Sequence, residues 1–410
     1  MTHSTPIRSA PTLVATNSAK NSQKTQNLNR NETIGWRLPF NSTLATTASN
    51  HSEVSHINQV PLFVLHVGPP KTGTTSLQYM LKAYEKILLN DSYHYVGNAK
   101  IMGGFFTRCM KKMERKNHTK PDDLCWENFI GVLEFHRQLG HNIILSNEVI
   151  GFHALRPFTW KLIHGYLGRW SRVQIVVSYR HLHNFIPSAH FELQKNQRWP
   201  GPPEYGKFVT PFTMFWNNSC NHSFVGPVPT PRAVMARFSA HYKVKILNVE
   251  SHDQVSDFLC KILDRAYHTC AYHRTNSSIV KPPDLNQRDD GQLNYDSLAL
   301  EAWRNNLLKN EQTRSYLRTK IKNFQEIQLG LTPSDFPLDC LDQHEEARLL
   351  EESLQHARDC GLDLDIETGK SIQSSFFKAK GTNKFCTINA TLAFANETWQ
   401  KFFADAKTVW

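Results

Sequence analysis

Residues Pro61 to Leu81 read PLFVLHVGPPKTGTTSLQYML, and the succession of residue types in this stretch decides the fold. Leu62 to Val67 is a short apolar run rich in branched side chains, which predicts a buried strand. From Thr74 onward Leu77, Met80, Leu81, Tyr84, Ile87 and Leu88 recur at three- and four-residue spacing, the pattern of an amphipathic helix that starts near Thr74. Between them lies a loop bounded by Gly68 and Gly73. A turn from strand to helix N-terminus aims several backbone N–H groups at one spot, and the helix dipole adds positive potential there, so an anion belongs in it. Gly73 permits close approach of the backbone, Thr72, Thr74, Thr75 and Ser76 offer hydroxyl groups, and Lys71 brings a mobile full charge.

The glycine spacing matches the G-x-x-x-x-G-K-[ST] loop of nucleoside triphosphatases, but Thr74 stands where the lysine belongs and Lys71 sits inside the loop. In those enzymes the lysine reaches the terminal phosphates and the neighbouring Ser/Thr holds magnesium. Neither role is placed correctly here. The shifted lysine suits a metal-free reaction in which a cation sits on the bridging oxygen of a leaving phosphate.

The same alternation continues downstream. Residues 142–145 (NIIL), 173–178 (VQIVVS) and 243–249 (KVKILNV) read as strands. Leu182, Phe185, Ile186, Ala189 and Leu193 trace one helix face, and Phe258, Leu259 and Ile262 lie in another helical segment. Strands separated by helices predict a parallel sheet covered on both faces, so the expected fold class is α/β, a P-loop-like three-layer sandwich with a central parallel sheet over 59–410. Helical regions near 295–327 and 342–358 read as peripheral, and 200–232, rich in proline, glycine and asparagine, as a long surface excursion. Residues 1–58 are dominated by Ser, Thr and Asn; they carry too little apolar surface to offset chain entropy and are expected to form a disordered stem.

The 410 residues carry a formal charge of +11, which favours anionic partners without choosing among them. Ten N-x-[ST] triplets, at Asn31, Asn41, Asn50, Asn90, Asn117, Asn217, Asn221, Asn276, Asn389 and Asn396, fit a glycosylated luminal or secreted protein. The eight cysteines, with no C-x-x-C pair, favour disulfides over zinc, a reduced protein with buried thiols being the alternative. No apolar run is long enough to span a membrane or serve as a signal peptide. A luminal protein needs one, so a membrane anchor is expected upstream of Met1.

PKTGTT after a strand, together with VVSYRHLHNFIPS (residues 176–188), resembles the two cofactor motifs of the sulfotransferases that use 3′-phosphoadenosine-5′-phosphosulfate (PAPS). The resemblance implies that Lys71, Thr72, Gly73, Thr74, Thr75 and Ser76 hold the 5′-phosphosulfate. It implies likewise that Arg180 and Ser188, eight residues apart, hold the 3′-phosphate, a planar guanidinium being well matched to a phosphate monoester. The motifs cover about thirty residues; KVKILNVE, FCTINATL and WQKFF are similar to the carbohydrate-directed branch. His181 and Leu182 depart from the Asn/Glu-Pro pair common after the arginine. The implied function is sulfuryl transfer to a hydroxyl of a glycan or another, possibly acidic, acceptor, by a protein of the Golgi lumen or a secreted one, without metal or nucleic acid.

An acceptor hydroxyl must lose its proton as it attacks, so a general base is needed. Three residues are candidates. Glu148, in LSNEVIGF beyond the NIIL strand, lies where ligands bind on a parallel sheet; its alternative role is to complement a helix dipole. His66 is close to the loop, although a histidine within a strand is commonly a hydrogen-bonded core residue. His153 is the third. The stretch TRCMKKMERK places Arg108, Lys111, Lys112, Arg115 and Lys116 at helical spacing, either to steer an acidic glycan or as a solvated charged face. Two other function classes remain open: a P-loop nucleotide or small-molecule kinase, and a non-catalytic anion- or glycan-binding protein.

Overall fold

A computed structural model describes residues 60–69, 72–97, 123–196, 211–219, 224–225, 228–277, 298, 302, 314–330 and 335–409, all within the unit Ile57–Trp410. The expected stem over 1–58, Lys71 and the basic stretch 108–116 lie outside the described residues.

Five parallel strands form the central sheet in the order β2-β3-β1-β4-β7, from β1 (Leu62–Val67), β2 (Tyr93–Tyr95), β3 (Asn142–Ser146), β4 (Arg172–Tyr179) and β7 (Lys243–Asn248). The predicted strands are present to within a residue at each end; β2, three residues long, escaped the reading. Two small antiparallel pairs lie elsewhere: β5 (Phe224–Val225) with β6 (Val228–Pro229), and β8 (Leu338–Cys340) with β9 (Cys386–Ile388). A disulfide joins Cys340 to Cys386 across the second pair, and another joins Cys260 to Cys270.

Side chains alternate across a strand, and β1 divides its residues between two cores accordingly. Phe63, Leu65 and Val67 face one side, with α3 (Asp123–Gln138), α4 (Glu148–Ala154), α5 (Pro157–Leu167) and α8 (Pro231–Ser239) supplying Phe129, Leu133, Ile150, Ile163, Val234 and Phe238. Leu62 and Val64 face the other side. There they meet Leu77, Met80 and Leu81 of α1 (Thr74–Ala83) and Leu88 of α2 (Glu85–Asn90). Phe258, Leu259 and Ile262 complete that core from α9, which runs Gln254–Ser256 and continues through Asp257–Ile262. Covering both faces explains why all of β1 and the last six residues of β4 are buried on both sides rather than alternating between core and solvent.

Two sequence expectations are corrected. Within 200–232, α7 (Phe212–Ser219) buries Phe212, Phe215 and Trp216 against Leu182, Phe185 and Ile186 of α6 (Leu182–Asn196), so this part is core rather than surface excursion. The expected peripheral helix near 342–358 is α12 (Gln343–Asp359), whose Leu349 is fully buried in the same cluster. Its Ser353 hydroxyl accepts the His183 backbone N–H at 3.1 Å. Both errors have one cause: the aromatic side chains of α7 carry more burial than the prolines around them reveal, and the apolar stripe of α12 is narrow. The C-terminal segment adds Phe394, Trp399 and Phe403 to a cluster with Ile321, Phe336 and Ile388.

Candidate functional site

In an open parallel sheet, ligands bind beyond the carboxyl ends of the strands where the chain's connections diverge to opposite sides. That point here is the end of β1 and β4. From β1 the chain leaves along the α1 face toward β2, whereas from β4 it returns to β7 along the α8 face. The rim is built from four consecutive strand ends: the loop after β1, Asn147–Glu148 after β3, Arg180 after β4, and Glu250–Gln254 after β7.

The loop after β1 has no room for side chains at its glycines. A Cβ on Gly68 would lie 2.9 Å from Thr72 Oγ1 and 3.0 Å from Ser178 Cβ, and Gly73 has φ +71°, the left-handed region. Thr72 is fully buried and donates its hydroxyl to the Pro69 carbonyl at 2.7 Å, closing the loop on itself. Gly73 caps α1 without a side-chain hydrogen bond, and no acidic residue occupies the first turn. The first-turn amides therefore keep their affinity for an external anion. Thr75 is exposed and Ser76 half-buried, and neither hydroxyl bonds to another described residue. Thr74 is committed differently: its hydroxyl donates to Glu148 Oε2 at 2.6 Å.

At the end of β4, Arg180 Nη1 donates to Ser188 Oγ at 2.9 Å, so the two residues that the resemblance places on one phosphate are in contact. Nearly two turns of α6 separate Ser188 from the helix start at Leu182, which brings it back beside the strand end. Arg180 Nε also donates to Glu250 Oε1 at 3.1 Å, and Asn184 Nδ2 reaches the same carboxylate oxygen at 3.2 Å. The Arg180 side chain is one-quarter exposed, and Glu250 holds its orientation.

His66 has a different place from the other candidates. It is fully buried at the end of β1, with Nδ1 2.7 Å from Ser146 Oγ and Nε2 2.7 Å from Ser178 Oγ. Burial pushes its pKa down to about 3. The ring ties the ends of β3, β1 and β4 together beneath the loop and has no path to an acceptor. His153 is also buried, on α4. Of the three base candidates, Glu148 is the one whose carboxylate accepts the Thr74 hydroxyl at the end of the loop.

Burial of neutral histidines has a pH consequence. His66 and His183 are both fully buried with pKa values lowered to about 3, by desolvation first in each case. In the unfolded chain each protonates near 6.5. Below that pH the unfolded state binds protons that the native state refuses, so stability is complete above about 6.5 and falls as the pH drops toward 3. Each histidine contributes a limiting slope of about 1.4 kcal/mol per pH unit. Urea midpoints measured from pH 7 to pH 5 are expected to fall steadily; midpoints independent of pH across this range would contradict the burial of both rings.

Sequence reading missed Gln254, Glu250 and Ser178. The Gln254 side chain lies against Gly73, its Oε1 only 2.7 Å from where a Cβ would stand, and its Nε2 is a buried donor with no partner. A signal for Gln254 existed in its place after the fourth predicted strand, on the ligand-binding rim. Ser178 was read only as a strand residue. Comparison of the chain with protein-family models, with curated proteins and with solved structures finds no match.

Proposed function

We propose that this protein is a PAPS-dependent sulfotransferase with a P-loop-like donor site. The observation that carries the reading is the juxtaposition at one sheet rim of a helix N-terminus without a side-chain cap, behind a loop bounded by two tightly packed glycines, and the Arg180–Ser188 pair. Two separate anion sites facing one crevice suit a donor with a phosphosulfate at one end and a phosphate monoester at the other. In this reading the α1 amides, Thr75, Ser76 and Gln254 Nε2 receive the phosphosulfate, and Arg180 with Ser188 receives the 3′-phosphate.

The acceptor oxygen attacks sulfur in line, the sulfur–oxygen bond to the 5′-phosphate breaks, and its electron pair leaves with adenosine 3′,5′-bisphosphate. Lys71, which the sequence puts on the same loop, neutralises that departing charge. Glu148 takes the acceptor proton, its carboxylate oriented by the Thr74 hydroxyl. Glu148→Gln keeps the hydrogen bond from Thr74 and removes the base. Turnover is expected to fall about 10²-fold or more with bisphosphate binding unchanged; near-normal turnover removes Glu148 from the mechanism.

A hydroxyl on a glycan in the Golgi lumen is the proposed acceptor. The two disulfides and the exposed sequons Asn90, Asn217 and Asn396 support a luminal or secreted setting. Among the described residues no helix is long and apolar enough to cross a membrane, so anchoring depends on other segments. The test of function is transfer of labelled sulfate from PAPS to a panel of polysaccharides, comparing the wild type with Lys71→Ala.

One observation favours a second reading. A threonine hydroxyl beside a carboxylate, as in Thr74 and Glu148, can also hold magnesium in a P-loop kinase. That reading requires magnesium-dependent transfer from ATP and no response to PAPS, which the same assay separates.

A further inference from the structure

A second cluster lies at the opposite, amino-terminal edge of the sheet. His94, His136 and His141 are half-buried, and one ring nitrogen from each lies within 4.8 Å of those of the other two. Three features of local structure bring them together. The end of α3 is a Schellman turn, in which Gly140 takes φ +72°, its N–H bonds to the Arg137 carbonyl at 3.1 Å and the His141 N–H bonds to the His136 carbonyl at 3.0 Å. That motif normally presses an apolar pair together at its two closing positions; here both positions are histidine. The parallel register then sets His94 opposite Ile143. Side chains two residues apart share a face, so His94 and His141 point to the side on which α3 packs.

The rings meet closely. His94 and His141 stack with centroids 3.9 Å apart, and the Nδ1 atoms of His136 and His141 are 3.1 Å apart. Tetrahedral zinc with Zn–N bonds of about 2.0–2.1 Å needs ligand nitrogens about 3.3 Å apart, so His136 and His141 already have about the required separation, while the His94 ring, stacked on His141, must turn out of the stack to aim its nitrogen at the same point. Among the described residues no carboxylate or thiolate belongs to the set. Three imidazoles suit zinc, copper or nickel over calcium or magnesium, and leave a fourth position for water.

We propose that His94, His136 and His141 form a zinc site that fastens the edge strand β2 to the end of α3 and the start of β3. This site is separate from the crevice and stands whether or not the chain transfers sulfate. The test uses the full, untagged chain stripped with chelator and desalted. Calorimetric titration with Zn²⁺ is expected to show one tight site per chain, and excess zinc to raise the thermal midpoint by a few degrees. His94→Ala, His136→Ala and His141→Ala are each expected to weaken binding at least tenfold and to abolish the thermal shift. Absence of zinc binding at 100 µM, or variants that bind as the wild type does, would overturn the proposal. Should a variant fail to fold, the wild type bound to Co²⁺ decides: intense visible absorption of a four-coordinate ion supports the site, and the weak spectrum of a six-coordinate ion refutes it.

Discussion

Lys71→Ala is expected to lower the rate of sulfuryl transfer by about 10²–10³-fold, the size of effect seen when one preorganised charge-stabilising group is removed from a reacting centre. Negative charge accumulates on the bridging oxygen as the sulfur–oxygen bond breaks, and a cation there is worth more in the transition state than in the bound donor. On the proposed reading the remaining groups, the α1 amides with Thr75, Ser76 and Gln254, should still bind the product phosphate in the variant. Affinity for adenosine 3′,5′-bisphosphate should accordingly fall by less than tenfold while kcat collapses. Lys71→Arg keeps the charge but spreads it over a planar fork, so it should recover part of kcat. The opposite pattern, in which binding is lost and kcat at saturation is kept, would make Lys71 a docking cation and displace it from the chemistry.

The second large effect is expected from Gly73→Ala. An L-residue in the left-handed conformation costs about 1–2 kcal/mol, and Gly73 has φ +71°. The new Cβ also meets Gln254 Oε1 at 2.7 Å. That atom ends a flexible side chain and can move, but its movement carries away the buried Nε2 donor beside the loop. Gly73→Ala should therefore lower the thermal midpoint by about 2–4 °C and weaken bisphosphate binding at least tenfold. Adding Gln254→Ala removes the contact and leaves the backbone strain, so the double variant should regain little binding. Undiminished affinity in Gly73→Ala would mean that the loop does not form the anion site.

Much of this arrangement was legible before any coordinates. The buried strands β1, β3 and β4 announced themselves because a parallel sheet covered on both faces needs mostly apolar runs, whereas β7, of which only Leu247 is buried, was legible from its branched residues. The glycine loop was legible because close approach of the backbone has few solutions in residue type. Arg180 and Ser188 were named together only through the resemblance; their spacing alone does not announce the contact between them. What was hidden had tertiary causes. Gln254 reaches the loop only because β7 lies beside β4, and no local pattern records that neighbour. His66 resembled a candidate base from its distance to the loop in sequence, yet the strand alternation points it between Ser146 and Ser178. The three-histidine cluster draws its members from β2, from α3 and from the residue before β3, and β2 is too short to read. The polar partner of Thr74, Glu148, was named for its position on the rim; the hydrogen bond between them comes from the β1–β3 pairing.

Recognition of the bisphosphate end of the donor is the point on which the rest turns, and titration calorimetry addresses it without knowledge of the acceptor. Adenosine 3′,5′-bisphosphate is expected to bind the wild type one to one, at least tenfold tighter than adenosine 5′-monophosphate, and Arg180→Ala should erase that preference. Binding of neither nucleotide at millimolar concentration, or equal binding of both by the wild type, would contradict the assignment of this crevice to a 3′-phosphorylated sulfate donor.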